Sequence, residues 1–254
     1  MLTIIAIIAV GWIGGNIVNY LADYLPLDRK IVAPYCLKCK HPKWLLHYIL
    51  FPKRCSQCLE PVRKRHWAVN IVSIAMSFYF LYLLGTSMSF WQAQILMIYF
   101  LLVIVVDIEH RLILHVVSFA GAVLGLVIGT SLHGIASTLL GGLAGLLIMF
   151  VLYQGGGIFL KLLAKWRDYS DIDEALGFGD VMLSGVLGLI LGWPGIVLGL
   201  VLAVIIAGVT SLLYLVYLSV KRSYKPNLTV AYGPYLIISA MILIYFNNFI
   251  KQLL

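Results

Sequence analysis

The sequence predicts an all-α polytopic membrane protein, and three observations lead to this fold class. Hydrophobic residues make up 62% of the 254 residues and charged residues only 11%, whereas about 25% of a typical soluble domain is charged. Several separate apolar runs reach the roughly 20 residues that a helix needs to cross a bilayer. Most basic residues lie between these runs or at their ends. A soluble fold of this length could not bury so many apolar helices.

The apolar runs predict about eight transmembrane helices. Their approximate bounds are 1–21, 68–85, 92–109, 112–130, 135–160, 179–192, 195–219 and 231–250. The first run lacks the basic start and small-residue cleavage site of a secretory signal, so it is interpreted as a retained helix. The predicted organisation is a first transmembrane helix over 1–21, a basic zinc-binding loop over 22–67 and a seven-helix membrane domain over 68–254.

The distribution of basic residues predicts the topology. Ten of the eighteen lie in the first long link, at Arg29, Lys30, Lys38, Lys40, Lys43, Lys53, Arg54, Arg63, Lys64 and Arg65. Placing this link in the cytoplasm puts almost all other basic residues inside as well and only Lys251 outside, as the positive-inside rule requires. The N-terminus is therefore expected outside. Basic residues between apolar runs favour contact with anionic lipids, and no nucleic-acid partner is expected.

Glycines recur within the apolar runs at spacings of three and four, as at Gly141, Gly145, Gly185 and Gly188. Such spacing places them on one helix face and lets neighbouring backbones approach closely. The pattern predicts a tightly packed bundle and carries no information on chemistry.

All four cysteines lie in the basic loop, as the pairs Cys36/Cys39 and Cys55/Cys58, with fifteen residues between the pairs. Two Cys-x-x-Cys pairs at this spacing predict a tetrahedral zinc site with a structural role, since four thiolates leave no open position for a substrate. A redox-active or disulfide-forming set is the alternative, and a reducing cytoplasm disfavours it. Because the loop is polar, the metal is expected to supply much of its folding energy.

Two aspartates stand at the ends of apolar runs, where a carboxylate is a candidate for function. Asp107 ends the third predicted span, and Asp180 begins the sixth, within Gly177-Phe178-Gly179-Asp180. The topology places both at the cytoplasmic face. Two carboxylates that share a water can hydrolyse a peptide bond, with one as base and the other as acid. The alternative is that each aspartate only caps a helix, which suits Asp180 better than Asp107.

These segments, in this order, resemble the type IV prepilin peptidases of the GxGD aspartic class. The segments that carry the resemblance are Gly11 to Pro26 with its glycines and asparagines, the paired cysteines, Asp107 to Ile113, Glu174 to Val181, and Ala231 to Leu236. The resemblance covers nearly the whole chain. Four positions differ from the usual family pattern: Leu114 and His115 replace Pro and an acid or amide, Met182 replaces a lysine, and Asn70 replaces an acid.

The resemblance implies that Asp107 and Asp180 are the catalytic pair, supported by the loop with Gly177 and Gly179. It further implies a bacterial cytoplasmic-membrane enzyme that removes short basic leaders from type IV prepilins or pseudopilins, at a glycine just before a hydrophobic segment. Many members then methylate the new N-terminus with S-adenosylmethionine. Two other functions remain open on the residues alone: a non-catalytic zinc-bearing scaffold for pilus or secretion assembly, and a transporter that uses the aspartates as ion sites. The particular precursors and the oligomeric state are not predicted.

Overall fold

The computed structural model describes residues 2–50, 55–82, 88–166, 177–221 and 232–246. The helices in these ranges are α1 (Leu2–Asp28), α2 (Leu45–Leu50), α3 (Lys64–Tyr82), α4 (Phe90–His110), α5 (His115–His133), α6 (Ile135–Trp166), α7 (Phe178–Leu191), α8 (Gly195–Val220) and α9 (Gly233–Tyr245). Across the described residues the only β-type pairing is one isolated bridge between Tyr35 and Pro42. The prediction of an all-α protein is confirmed.

Within the described ranges, five helices are long and apolar enough to cross a membrane, namely α1, α4, α5, α6 and α8. The prediction of about eight spans is therefore confirmed only in part. Helix α3 has 19 residues but begins with Lys64, Arg65 and His66, and α7 and α9 have 14 and 13 residues. All three lie where a span was predicted, but their polarity or their length falls short of what a bilayer of about 30 Å requires.

Two helices extend beyond the predicted spans. Helix α1 continues through Pro26 to Asp28, although its span was predicted to end near residue 21. The extra turns are stabilised by tertiary contacts, including a hydrogen bond from the Tyr24 hydroxyl to the Tyr35 carbonyl at 2.5 Å. Helix α6 continues to Trp166, into the predicted link at 161–178. The acidic run at Asp168, Asp171, Asp173 and Glu174 lies outside the described residues.

The chain forms two compact units, Met1–Leu112 and Ile113–Leu254. In the first unit, α1 packs against α3 and α4, and a side chain on Gly11 would lie 2.7 Å from the Ile74 Cα. Buried amides pair between these helices, as Asn70 donates to the Asn16 side-chain oxygen at 2.9 Å. Within a membrane such groups must find protein partners, because no water is available to them.

In the second unit, α7 is surrounded by its neighbours and packs most extensively on α6. Glycines on both helices form this contact: a side chain on Gly188 would overlap the Gly141 carbonyl oxygen, and one on Gly145 would overlap Ser184. The Ser184 hydroxyl donates to the Gly145 carbonyl at 3.1 Å. The predicted role of these glycines in close helix packing is confirmed.

Substituting Gly188 with alanine should therefore destabilise the second unit by about 1–3 kcal/mol, the usual cost of overpacking. The measurement is the free energy of unfolding in mixed micelles. Gly208→Ala on α8 is the matched control, because no atom lies within 4 Å of the added methyl group. The control should leave stability unchanged or raise it by up to about 1 kcal/mol through helix propensity. Equal effects of both substitutions would contradict the packing argument.

Candidate active site and metal centre

The four cysteines lie on two turns of similar backbone structure. In the first turn the Lys40 N–H donates to the Cys36 carbonyl at 2.8 Å, and in the second the Leu59 N–H donates to the Cys55 carbonyl at 3.1 Å. Lys40 and Leu59 each follow the second cysteine of a pair and adopt left-handed φ angles of 58° and 53°. These two turns direct all four thiols towards one point, as the sequence spacing predicted.

The thiol geometry fits a tetrahedral metal site loosely. All four Sγ atoms lie within 4.8 Å of one another, and the pairs Cys36/Cys58 and Cys39/Cys55 are each 3.5 Å apart. A tetrahedron with zinc–sulfur bonds of about 2.3 Å separates its sulfur atoms by about 3.8 Å. None of the four forms a disulfide. The cluster could hold a metal ion after small shifts of the side chains.

The four thiols differ in acidity. Hydrogen bonds from backbone N–H groups, led by that of Cys39, lower the pKa of Cys36 to about 6, and the pKa of Cys55 is lowered in the same way, led by the N–H of Cys58. The backbone N–H of Glu60 also lowers the pKa of Cys58, but burial and the neighbouring thiols outweigh it and raise that pKa to about 12. Without a metal, the cluster therefore keeps protons that a tetrathiolate site must release.

Asp107 lies in the last turn of α4, and its side chain is buried, with 5% exposure. The helix ends on Arg111, whose backbone is left-handed with φ of 52° and whose N–H donates to the Asp107 carbonyl. Two residues after Asp107, Glu109 accepts a hydrogen bond from Arg65 at the start of α3. Asp107 and the cysteine turns therefore lie at the same end of the first unit.

Asp180 lies in the first turn of α7 and is also buried, with 9% exposure. Its backbone N–H donates to the carbonyl of Gly177, the residue that precedes the helix. A side chain on Gly179 would lie 2.9 Å from the Cβ of Ile113, so this glycine is needed for close approach. The pKa of Tyr232, before α9, is raised by burial and by the negative charge of Asp180.

The predicted site residues thus fall into two groups. The structure brings the four cysteines together within the first unit. Asp107 belongs to the first unit and Asp180 to the second, and each lies buried at the end of a helix. Their action as a pair remains a prediction.

A third buried carboxylate, Asp23, was not singled out by the sequence analysis. One of its oxygens accepts a hydrogen bond from Arg65 at 2.6 Å, and the other accepts one from the Tyr48 hydroxyl at 2.5 Å. The second oxygen also lies 3.1 Å from the His66 Nε2 atom. Arg65 joins this group to Glu109. The network therefore connects the end of α1, the loop, α3 and the end of α4.

Two expectations about the loop are corrected by this network. His66 falls within the predicted loop over 22–67, whereas it is buried in α3 beside Asp23. The loop was expected to have little hydrophobic core, whereas Tyr48 packs against Tyr20 and Tyr24 of α1. Asp23 stands close behind a long apolar run in the sequence, and the rule that such carboxylates need partners could have identified it.

Comparison with known proteins agrees with the motifs. Residues 94–212 match the model of the type IV leader peptidase family. The chain is 23% identical over 239 residues to "Prepilin leader peptidase/N-methyltransferase" of Aeromonas hydrophila. The aligned region covers 91% of this chain and 77% of the relative. The protein of the same name in Myxococcus xanthus is 25% identical, over 70% of this chain and 53% of its own length. The one in Pseudomonas putida is 24% identical, over 90% of this chain and 77% of its own length.

The chain thus spans about half of the Myxococcus relative and about three quarters of the other two. No solved structure matches it. The family model covers α4 to most of α8, and the longer matches extend the similarity to nearly the whole chain. These matches confirm the predicted resemblance to the type IV prepilin peptidases.

Proposed function

We propose that the protein is a membrane aspartic endopeptidase that removes the short basic leader of type IV prepilins or pseudopilins. One observation carries the proposal. Each of the two aspartates in the family motifs is buried at a helix end, with 5% exposure for Asp107 and 9% for Asp180. An ionisable residue buried at a helix end of a multi-pass membrane protein is a candidate for function by default.

The two helix ends favour different protonation states for the two carboxylates. Asp180 lies in the first turn of α7, where the helix dipole favours a negative charge. Asp107 lies in the last turn of α4, where the dipole disfavours one. We therefore assign the base to Asp180, which takes a proton from the attacking water, and the acid to Asp107, which donates a proton to the carbonyl oxygen of the scissile bond. When the C–N bond of this adduct breaks, Asp180 gives its proton to the leaving nitrogen and Asp107 takes a proton back from the adduct's hydroxyl.

The test is cleavage of a purified precursor by the full-length protein in lipid vesicles. The expected product, identified by mass spectrometry, is the mature chain that begins at its hydrophobic segment. A precursor without the glycine before that segment is the control and should stay intact. Failure to cleave any precursor encoded near this gene, by protein shown to be folded, would instead favour a scaffold.

We also propose that the active site faces the cytoplasm of a bacterial inner membrane and that the N-terminus lies outside. The basic residues of the link between α1 and α3 support this orientation through the positive-inside rule. The cysteine turns and Asp107 belong to the same end of the first unit, so one orientation places both inside. A thiol reagent that cannot cross membranes tests the assignment. It should label the four cysteines in inverted membrane vesicles, after the metal is removed, but not in intact cells.

Zinc is the metal we propose for the cysteine cluster. Cys36, Cys39, Cys55 and Cys58 would hold it, and a tetrathiolate site supplies folding energy for the loop rather than chemistry on the substrate. Cys36→Ser is expected to lower the yield of folded protein and the zinc content together. A variant with normal yield and zinc but no turnover would contradict the structural role.

Zinc retention should depend on pH with a defined sign. The protons on Cys39 and Cys58 must leave when the metal binds, because both thiols have raised pKa values. Affinity should therefore fall as pH falls, and more steeply below about 6, where Cys36 also takes up a proton. Zinc content after equilibration with a chelator at stepped pH values measures this, and a flat profile would contradict the site.

Methylation of the new N-terminus with S-adenosylmethionine is proposed only from the names of the relatives. A cavity of about 820 Å³ beside the cysteine turns includes the carboxylates Asp23 and Glu60 in its lining, and such groups could bind ribose hydroxyls. Both are already ion-paired, Asp23 with Arg65 and Glu60 with Lys38. The described lining of this cavity therefore offers the cofactor no carboxylate that is free of an ion pair. Transfer of a labelled methyl group to the cleaved product is the measurement that decides.

A further inference from the structure

Helix α2 lies inside the segment predicted to be a polar loop, and its surface is unusual for such a place. Trp44, just before the helix, is 82% exposed, and Leu46 is 66% exposed. Leu45 and Leu50 are also exposed, whereas Tyr48 points into the tyrosine cluster and is buried. Apart from the side of Tyr48, the helix therefore presents an apolar surface that no part of the described chain covers.

Two hydrogen bonds attach the last residues of α2 to the side of α1. The Trp12 indole N–H donates to the Leu50 carbonyl at 2.9 Å, and the Asn16 side-chain amide donates to the Ile49 carbonyl at 2.7 Å. The last carbonyl groups of a helix have no partner within the helix, so they need donors from elsewhere. In a loop surrounded by water, solvent would supply those donors.

The positions of Trp12 and Asn16 along α1 indicate how far the end of α2 lies from the polar end of α1. Asn19 donates to the His66 carbonyl at 3.3 Å, which brings it level with the last basic residues at the start of α3. Asn16 and Trp12 precede Asn19 by three and seven residues, which is about 4.5 and 10 Å further along the helix axis. Both belong to the part of α1 that is apolar enough to span a membrane.

From these observations we infer that α2 is inserted into the lipid leaflet at which α1 ends, and that acyl chains cover its exposed apolar face. Carbonyl groups at that depth have no water, which explains why α1 supplies both donors. Trp44 stands at the start of α2, at the level where tryptophan is favoured in membrane proteins. The basic side chains that precede it, Lys40 and Lys43, lie over the rings of Tyr35 and Tyr48, where they can meet lipid phosphates.

Insertion of α2 would give the cysteine turns a fixed place. The first turn precedes α2 in the chain, and the second follows it before α3 begins. A segment anchored between them in the leaflet holds both turns against the membrane surface. Insertion of α2 does not depend on the proposed peptidase activity, so it can be tested separately.

Depth-dependent quenching of Trp44 tests the inference in the full-length protein. The chain is reconstituted into vesicles of phosphatidylethanolamine and phosphatidylglycerol, with or without bromine on the acyl chains near the headgroup. The protein has six tryptophans, so the emission of Trp44 is the difference between wild type and Trp44→Phe. We expect brominated lipid to remove the larger part of this emission, while aqueous acrylamide removes little.

Two outcomes would overturn the inference. Strong acrylamide quenching without lipid quenching would place the face in water. Protection from both quenchers would show that another protein surface covers it, either a second copy of this chain or a bound substrate. Because Trp44→Phe could perturb the site, Leu46→Trp in the Trp44→Phe background provides a second reporter on the same face, with the same expected result.

Trp12→Phe tests the anchor itself. Loss of the indole donor should raise acrylamide quenching of Trp44, because the last turn of α2 loses one of its attachments to α1. Trp91→Phe on α4 is the control, since its exposed ring makes no hydrogen bond to α2. Unchanged protection in Trp12→Phe would overturn the role assigned to this donor.

Discussion

Replacing either Asp107 or Asp180 with asparagine should abolish leader cleavage and leave the protein folded. Asparagine keeps the size of the side chain and can keep its hydrogen bonds, but it cannot exchange a proton with water or with a peptide carbonyl. General acid or base catalysis contributes about 10²- to 10⁴-fold in rate, so each variant should lose at least that much. The measurement is the initial rate of precursor cleavage in vesicles.

Asp28→Asn is the matched control for both variants. Asp28 ends α1 and accepts a hydrogen bond from the Tyr35 hydroxyl at 2.9 Å, but it does not belong to the family motifs. Its substitution should leave the cleavage rate within a small factor of wild type. Full activity of Asp107→Asn or Asp180→Asn, in protein with wild-type zinc content and stability, would remove that residue from the catalytic pair.

The largest effect on stability is expected at Asp23. Its side chain is 5% exposed and pairs with Arg65, which is 14% exposed, so Asp23→Ala would leave a guanidinium largely buried and without one of its two carboxylates. Removing one partner of a buried ion pair usually costs about 3–5 kcal/mol. The Tyr48 hydroxyl and the His66 ring would lose their partner as well. The free energy of unfolding in mixed micelles measures the loss.

An exposed ion pair in the same loop provides the control. Lys38 and Glu60 are 2.8 Å apart, with 67% and 46% of their side chains exposed. Solvent screening limits such pairs to about 1 kcal/mol or less, so Glu60→Gln should change stability little. A cost for Asp23→Ala no larger than that of Glu60→Gln would show that the buried network does not stabilise the loop.

The same network has a consequence for the proposed active site. Arg65 contacts both Asp23 and Glu109, and Glu109 lies two residues beyond Asp107 in the last turn of α4. The guanidinium therefore restrains the helix end on which Asp107 is carried. Asp23→Ala should lower the cleavage rate through this route even when measured on folded protein, but much less than Asp107→Asn.

Features that depend on local sequence were predicted well. Apolar runs identified every long helix, because a backbone in lipid must satisfy its own hydrogen bonds and can do so in a helix. The two Cys-x-x-Cys pairs identified the thiol cluster, since their spacing suffices to build two similar turns. Glycines such as Gly141 and Gly188 predicted close helix packing, and the structure shows it between α6 and α7, where only a missing side chain permits the approach.

Features that depend on distant residues were missed or placed wrongly. The end of α1 was set seven residues too early, because Tyr24 is held in the helix by a contact with Tyr35 that hydropathy does not register. Helix α2 was not predicted at all. With six residues it is too short to form alone, and its attachment to Trp12 and Asn16 arises only when the chain folds back along α1.

By itself, the sequence determined that this protein is a helical membrane protein that resembles the type IV leader peptidases, with a cysteine cluster and two aspartates at the ends of apolar runs. Residue type and spacing carry that information, because hydrophobic length, thiol pairs and motifs are local properties. Only the tertiary structure revealed the network around Asp23 and the attachment of α2 to α1. Both depend on which distant polar groups can pair where water is excluded, and that pairing exists only in the folded chain.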